Sequence, residues 1–181
     1  MNVLFATGNR HKVSEANRVG KEYGVKFVRV SCPYPEIRDE SLERIASEGV
    51  KHVYSRLKKP VIVEDSGLFL KAYDGFPSPY SAYVFEKIGN GGMLKLVRGK
   101  RNRNAAFKSV IAYYDGKKLR TFTGEVKGRI ALKKSGNAGF GYDPIFIPKG
   151  HSRTFAQDPE LKEKISHRSR AFKKLITWLK D

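Results

Sequence analysis

Over its first 65 residues the chain alternates short apolar segments with helix-patterned ones, and this alternation constrains the fold more than any other feature. "NVLFA" (2–6) reads as a strand, and "HKVSEANRVGKEYG" (11–24) as a helix closed by Gly24. "VKFVRVS" (25–31) alternates as a strand does. "CPYPEIRD" (32–39) holds two prolines two residues apart and is read as extended loop. Ser41 can cap a helix over 42–57 whose apolar members are Leu42, Ile45, Val50 and Val53, with Pro60 as its stop. "VIVED" (61–65) is an apolar strand expected to finish on two carboxylates.

Beyond it, "YDGFPSPYSAY" (73–83) is a glycine and proline loop entering a helix that continues through 91–97, and "RGKRNRN" (98–104) is a basic link. Residues 105–131 read as strand, Asp115-Gly116 hairpin and strand, and 137–150 as a loop leading into a further strand. From Pro159 onward a single helix is expected, with Ala171, Phe172, Leu175, Ile176 and Leu179 on one face. The expected architecture is α/β, a mixed central sheet flanked by helices. A chain of 181 residues fits a single domain over 1–181, with room for two lobes around a cleft.

Charge and cysteine content narrow the function classes. Thirty-six Lys and Arg face 18 Asp and Glu, a net charge of +18 that favours anionic ligands, whether nucleic acid or a small phosphate ester. The single cysteine, Cys32, excludes an intramolecular disulfide and any paired-cysteine metal site, and fits a reducing cytoplasm. No segment approaches the ~18 apolar residues that a membrane span needs, so the expectation is a cytoplasmic protein with no membrane partner. No G-x-S-x-G elbow is present, which leaves nucleophilic serine catalysis without support.

Three places combine glycine, unusual polarity and the edge of an element. In Thr7-Gly8-Asn9-Arg10-His11-Lys12, Gly8 lets a ligand approach the backbone and the start of the following helix favours an anion. Lys12 in the first helical turn works against the helix dipole, which points to recruitment for a ligand. In Glu64-Asp65-Ser66-Gly67, neighbouring strand side chains diverge, so one carboxylate faces a site while its neighbour holds the loop or pairs with lysine. Asp65 with Glu36, from the proline loop, could hold Mg²⁺. The third is Phe140-Gly141-Tyr142-Asp143, where aromatics beside glycines can offer a stacking face to a base, followed later by His167 and Arg168 as donors. Core packing of Phe140 and Tyr142 is the competing reading.

Taken together and in order, "ATGNRHKVSE", "EDSGLF", "GFPSPYSAY", "GFGYDPIF" and "ISHRSRA" resemble the inosine triphosphate pyrophosphatase family across about residues 4–171. The resemblance implies a two-lobed α/β fold around a substrate cleft and a homodimer. It implies hydrolysis of ITP, dITP and XTP to monophosphate and pyrophosphate with Mg²⁺ as cofactor. By the same resemblance Thr7, Gly8, Asn9 and Lys12 grip the triphosphate, with Arg10 and His11 beside them. Asp65 is the general base and a metal ligand, Glu36 the second metal carboxylate, and Ser66 a substrate contact. Phe140, Gly141, Tyr142, Asp143, Lys162, His167 and Arg168 serve the base and sugar. Ser78 stands where the family carries a glycine, and Glu163 where it carries an asparagine. No specific nucleic-acid partner is implied. Two rival readings are a basic nucleic-acid binder without catalysis and a related pyrophosphatase for modified pyrimidine triphosphates.

Overall fold

The structure is a computed structural model that describes residues 1–35 and 37–181. Glu36, one of the two expected metal carboxylates, lies outside the described residues. The strands are β1 (Asn2–Ala6), β2 (Lys26–Val30), β3 (Val61–Leu70), β4 (Asn104–Tyr114), β5 (Leu119–Ile130) and β6 (Phe146–Pro148), in the sheet order β2-β1-β3-β4-β5-β6. The helices are α1 (Arg10–Glu22), α2 (Leu42–Leu57), α3 (Ser81–Leu96), α4 (Pro159–Ile165) and α5 (His167–Lys180). β1 runs parallel to both β2 and β3, whereas β5 and β6 are antiparallel, so the sheet is mixed as expected. No helix among the described residues is long and apolar enough to cross a membrane.

The chain divides into two compact units. The first comprises Met1–Asp65, Ser109–Gly124 and His167–Asp181. Its core is built from alternate strand positions, Val3, Phe5, Phe27, Ile62, Ile111 and Phe122, against the apolar stripes of α1 and α5. Phe172 is fully buried there, with its ring edge-on to Phe27 at 4.7 Å and to Phe5 at 5.7 Å. α2 carries its own stripe, Leu42, Ile45, Ala46, Val50 and Val53, all buried. Ser41 caps it by accepting from the Arg44 amide. The helix stops at Lys58, which turns left-handed (φ 52°), two residues before the proline.

Gly124 on β5 allows α5 to approach closely. A Cβ there would strike the His167 carbonyl oxygen and stand 2.6 Å from the Ala171 nitrogen, both backbone atoms with little freedom to yield. Gly124→Ala should therefore destabilise by about 1–3 kcal/mol through overpacking. Differential scanning calorimetry should show Tm lowered by roughly 3–10 °C.

The second unit comprises Ser66–Lys108 and Glu125–Ser166. Leu68, Leu70, Phe107, Val126 and Ile130 point to one side of its strands and meet Met93 of α3, Tyr142, Phe146 and Phe155. α3 is interrupted at Gly89, whose backbone (φ 57°, ψ −164°) is not helical. The turn between β4 and β5, which belongs to the first unit, is held by the Asp115 carboxylate, which accepts from the amides of Lys117 (2.8 Å) and Lys118 (2.7 Å).

Two expectations are corrected. β3 does not end on its carboxylates but continues through Ser66–Leu70, so Glu64 and Asp65 lie mid-strand. The expected C-terminal helix is two helices, because Ser166 adopts an extended backbone (φ −61°, ψ 159°) that closes α4 and starts α5 at His167.

Candidate active site

In the first unit, the turn after β1 is organised by its own side chains. Thr7 Oγ1 accepts from the Asn9 amide (3.1 Å), and Asn9 Oδ1 accepts from the amides of His11 (2.9 Å) and Lys12 (3.4 Å). Asn9 is thus the N-cap of α1, satisfying donors that a helix otherwise leaves open. Nothing lies within 4 Å of where a Cβ on Gly8 would be, so the outer side of the turn is open to close approach. Arg10 and His11 are exposed, whereas Lys12 is partly buried and turns inward.

Lys12 Nζ lies 2.9 Å from Glu64 Oε2 and donates to the Glu64 carbonyl oxygen at 3.0 Å. Arg168, brought in by the first turn of α5, donates through Nε to Glu64 Oε1 (3.2 Å) and through Nη1 to Glu15 Oε2 (2.6 Å). Ser109 Oγ donates to Glu64 Oε1 at 2.6 Å. Burial pushes the Glu64 carboxyl up, but the charges of Arg168 and Lys12 and the serine bond outweigh it, holding the group well below its ordinary value of 4.5. Burial likewise opposes the charge on Arg168, and Glu64 and Glu15 more than restore it. The site therefore contains a charged cluster whose centre, Glu64 and Arg168, is buried, while Lys12 and Glu15 keep partial exposure.

Because successive strand side chains diverge, occupation of Glu64 by this cluster assigns Asp65 to the other side of β3, where it is half-buried. Among the described residues no three His, Cys, Asp or Glu side chains gather as a metal cage. Mg²⁺ does not need one, since it is held by one or two carboxylates with phosphate oxygens and waters. Asp65 supplies the hard oxygen donor such an ion prefers.

In the second unit, Asp143 is the centre. Its buried carboxylate accepts through Oδ2 from the Phe140 amide (2.8 Å) and from Lys162 Nζ (2.6 Å). The Lys162 ammonium, itself buried, stands 4.6 Å from the centroid of the Phe140 ring. Gly139 (φ 76°) and Gly141 (φ 62°) both occupy the left-handed region, and a Cβ on Gly139 would collide with Asp143 Oδ2. The loop therefore wraps a carboxylate and holds one aromatic ring half-exposed beside a cation. Lys162→Met should cost about 3–5 kcal/mol by stranding Asp143. The double variant Lys162→Met/Asp143→Asn should recover part of it, which thermal melts of the two proteins would show.

Tyr142 corrects the expectation of a second stacking face. Its ring is 5% exposed, packed edge-on to Phe85 at 5.1 Å, and its hydroxyl donates to the Ser81 carbonyl (3.0 Å). Burial pushes the Tyr142 phenol up to about 12. Tyr142 is an anchor of the loop, while Phe140 and Gly141 remain half-buried.

The structure divides the remaining candidates. Ser66 is half-buried and Lys162 buried in the second unit; His167 and Arg168 are buried in the first. Sequence reasoning missed Glu15 and Ser109. Glu15 stands three residues after Lys12 on α1, a spacing that puts both on one helix face and could have suggested it. Ser109, next to Lys108 in a mostly apolar strand, carried a weaker signal. Asn90 was missed too: its amide donates to the Gly141 carbonyl at 3.1 Å.

The chain is similar to known proteins over nearly all of their length. A protein of Methanopyrus kandleri named dITP/XTP pyrophosphatase is 52% identical over 183 aligned positions, covering 100% of this chain and 97% of the relative. One of the same name from Thermococcus kodakarensis is 48% identical, covering 100% and 98%. The Ham1 protein structures of Staphylococcus aureus and Coxiella burnetii superpose with TM-scores of 0.85 and 0.87, each at 28% identity over 99% of this chain and 98% of theirs. The Ham1 family model matches residues 3–178, and the chain belongs to the Ham1 family.

Proposed function

We propose that the chain is a nucleoside triphosphate pyrophosphatase that hydrolyses ITP, dITP and XTP to the monophosphate and pyrophosphate, assisted by Mg²⁺. The observation that carries this reading is the full-length likeness to relatives named for dITP and XTP, with 52% identity in the first of them. The homodimer and the cytoplasmic setting implied by the sequence resemblance belong to the same proposal.

The residues of the first unit suit the phosphates. Lys12 directs two interactions at Glu64, and an ammonium has three N–H donors, so a phosphate oxygen can take the third. Glu64 fixes that ammonium without surrendering its own charge, because it is also held by Arg168 and Ser109. Thr7, Gly8 and Asn9 shape the turn beside it, Arg10 adds positive charge at its rim, and His11 stands next to it. Asp65 accepts the proton of the attacking water as general base. Asp65 and Glu36 would hold Mg²⁺, which when bound would help to neutralise the charge of the triphosphate. Positioning and electrostatics then provide most of the rate, as in phosphoryl transfer generally.

The residues of the second unit suit the base. Phe140 offers a ring face, and the Lys162–Asp143 pair fixes the loop that carries it, with Ser66 as a further substrate contact. By the sequence resemblance His167 and Arg168, which belong to the first unit, add donors that suit a 6-oxo purine. Adenine would leave such a buried donor facing an amino group, a mismatch of about 1–3 kcal/mol or more.

The test is kcat/KM for ITP, dITP, XTP, GTP and ATP with Mg²⁺ and after chelation. The proposal expects the first three to exceed ATP and GTP by about 100-fold, with activity abolished by EDTA and restored by Mg²⁺. Equal turnover of ATP and GTP would remove the substrate assignment, and full activity in EDTA would remove the metal.

A further inference from the structure

The second unit has a sheet face that carries none of its residues assigned to the proposed chemistry. Leu68, Leu70, Phe107, Val126 and Ile130 point into its core, so the alternate positions of β3, β4 and β5 point the other way. Those positions and the loop after β6 line a groove of about 490 Å³ containing Lys71, Lys108, Lys127, Arg129 and Lys149 against one acid, Glu125. Phe69 and Ala106 contribute to its floor, and the Lys108 ammonium lies 4.8 Å from the centroid of the Phe69 ring. Lys108 is 3.8 Å from Glu125. No carboxylate among the described residues pairs with Lys71, Lys127, Arg129 or Lys149.

We propose that this face binds single-stranded nucleic acid without sequence preference. Five cations and one carboxylate concentrate positive potential over one groove, which attracts a phosphate chain and repels a second copy of the same face. The cations are carried on long side chains, and Lys71, Lys127, Arg129 and Lys149 are exposed. A specific pocket for a small molecule instead converges a few buried polar groups on its ligand. Electrostatic tracking of a backbone with an aromatic ring at the floor is the pattern of non-specific single-strand binding. The reading is independent of the catalytic proposal, and it gives part of the +18 net charge a use.

Fluorescence anisotropy with labelled oligo(dT) of about 20 nucleotides tests it, using the full chain and the variant Lys127→Glu/Arg129→Glu/Lys149→Glu. A control with the same charge change, Lys21→Glu/Lys26→Glu/Lys59→Glu, reverses exposed residues of the first unit. The groove variant should bind about 100-fold more weakly, and its slope of log K against log salt should be shallower by about 2, the loss of three phosphate contacts. The control should lose about threefold or less, and Phe69→Leu should weaken binding about fivefold with the salt slope unchanged. ITP hydrolysis should be unaltered in all three. Equal losses in groove variant and control would overturn the proposal in favour of diffuse attraction by net charge. Equal affinity for a duplex of the same length would overturn the single-strand assignment. Unchanged oligonucleotide binding with a changed molar mass in light scattering would make the face a contact between copies instead.

Discussion

Asp65→Asn is expected to reduce pyrophosphate release from dITP by about three orders of magnitude, or roughly 4 kcal/mol of transition-state stabilisation, while leaving Tm within a few degrees of the parent. The size follows from two roles in one carboxylate. A positioned general base contributes about 10²–10⁴-fold, and the same carboxylate is the proposed ligand of Mg²⁺. The small stability change follows from placement. Asp65 is half-buried on β3, and the fully buried neighbour Glu64 holds the charged cluster. Steady-state kinetics with saturating Mg²⁺, beside a melting curve, checks both halves. A variant retaining more than about a tenth of the activity would assign the base elsewhere.

Glu64→Gln should show the reverse pattern, a loss dominated by stability. Its carboxylate is fully buried between Arg168 and Lys12, and neutralising it takes one carboxylate away from the buried guanidinium, which keeps its bond to Glu15. Breaking a buried pair from one side costs about 3–5 kcal/mol, which for a chain of this size lowers Tm by roughly 10 °C. The pH dependence gives a second signature. The folded-state pKa of Glu64 lies below the unfolded one, so its stabilisation is fully present above the ordinary value of 4.5 and is lost as pH falls through the folded value. The parent should therefore lose stability progressively from about pH 4.5 downward, and the glutamine variant should lose less over the same window. Urea melts between neutral pH and pH 3 would show it. Parallel curves for the two proteins would mean that Glu64 is not the group responsible.

Local chemistry made some of this readable in the sequence. Ser41 followed by an amphipathic run gave α2 its start and its buried face, and the helix spans 42–57 as its pattern dictates. Asp115-Gly116 gave the hairpin because a carboxylate at that position caps its own turn. The divergence of strand neighbours separated Glu64 from Asp65 and foresaw that one of them pairs with lysine. What stayed hidden depends on contacts distant along the chain. Arg168 was legible as a donor for a ligand, but not its pairing with Glu64, 104 residues earlier. Ser166 breaks the expected C-terminal helix although its neighbours are good helix formers, a case of tertiary demand overriding propensity. Whether Tyr142 stacks on a base or packs in the core stayed open in the sequence because its tie to Ser81 spans 61 residues. The turn at Thr7-Gly8-Asn9 was legible as a helix start, but not the way Asn9 satisfies the amides of His11 and Lys12 itself. Lys12, rather than an open ring of amides, is accordingly the residue expected to meet a phosphate.

The most direct measurement is the identity of the products from dITP, followed by phosphorus NMR with Mg²⁺ present. The proposed chemistry predicts deoxyinosine monophosphate and pyrophosphate in equal amounts, with no orthophosphate before the substrate is consumed. Deoxyinosine diphosphate accumulating with orthophosphate would contradict it, because a different phosphoanhydride bond would then have been broken.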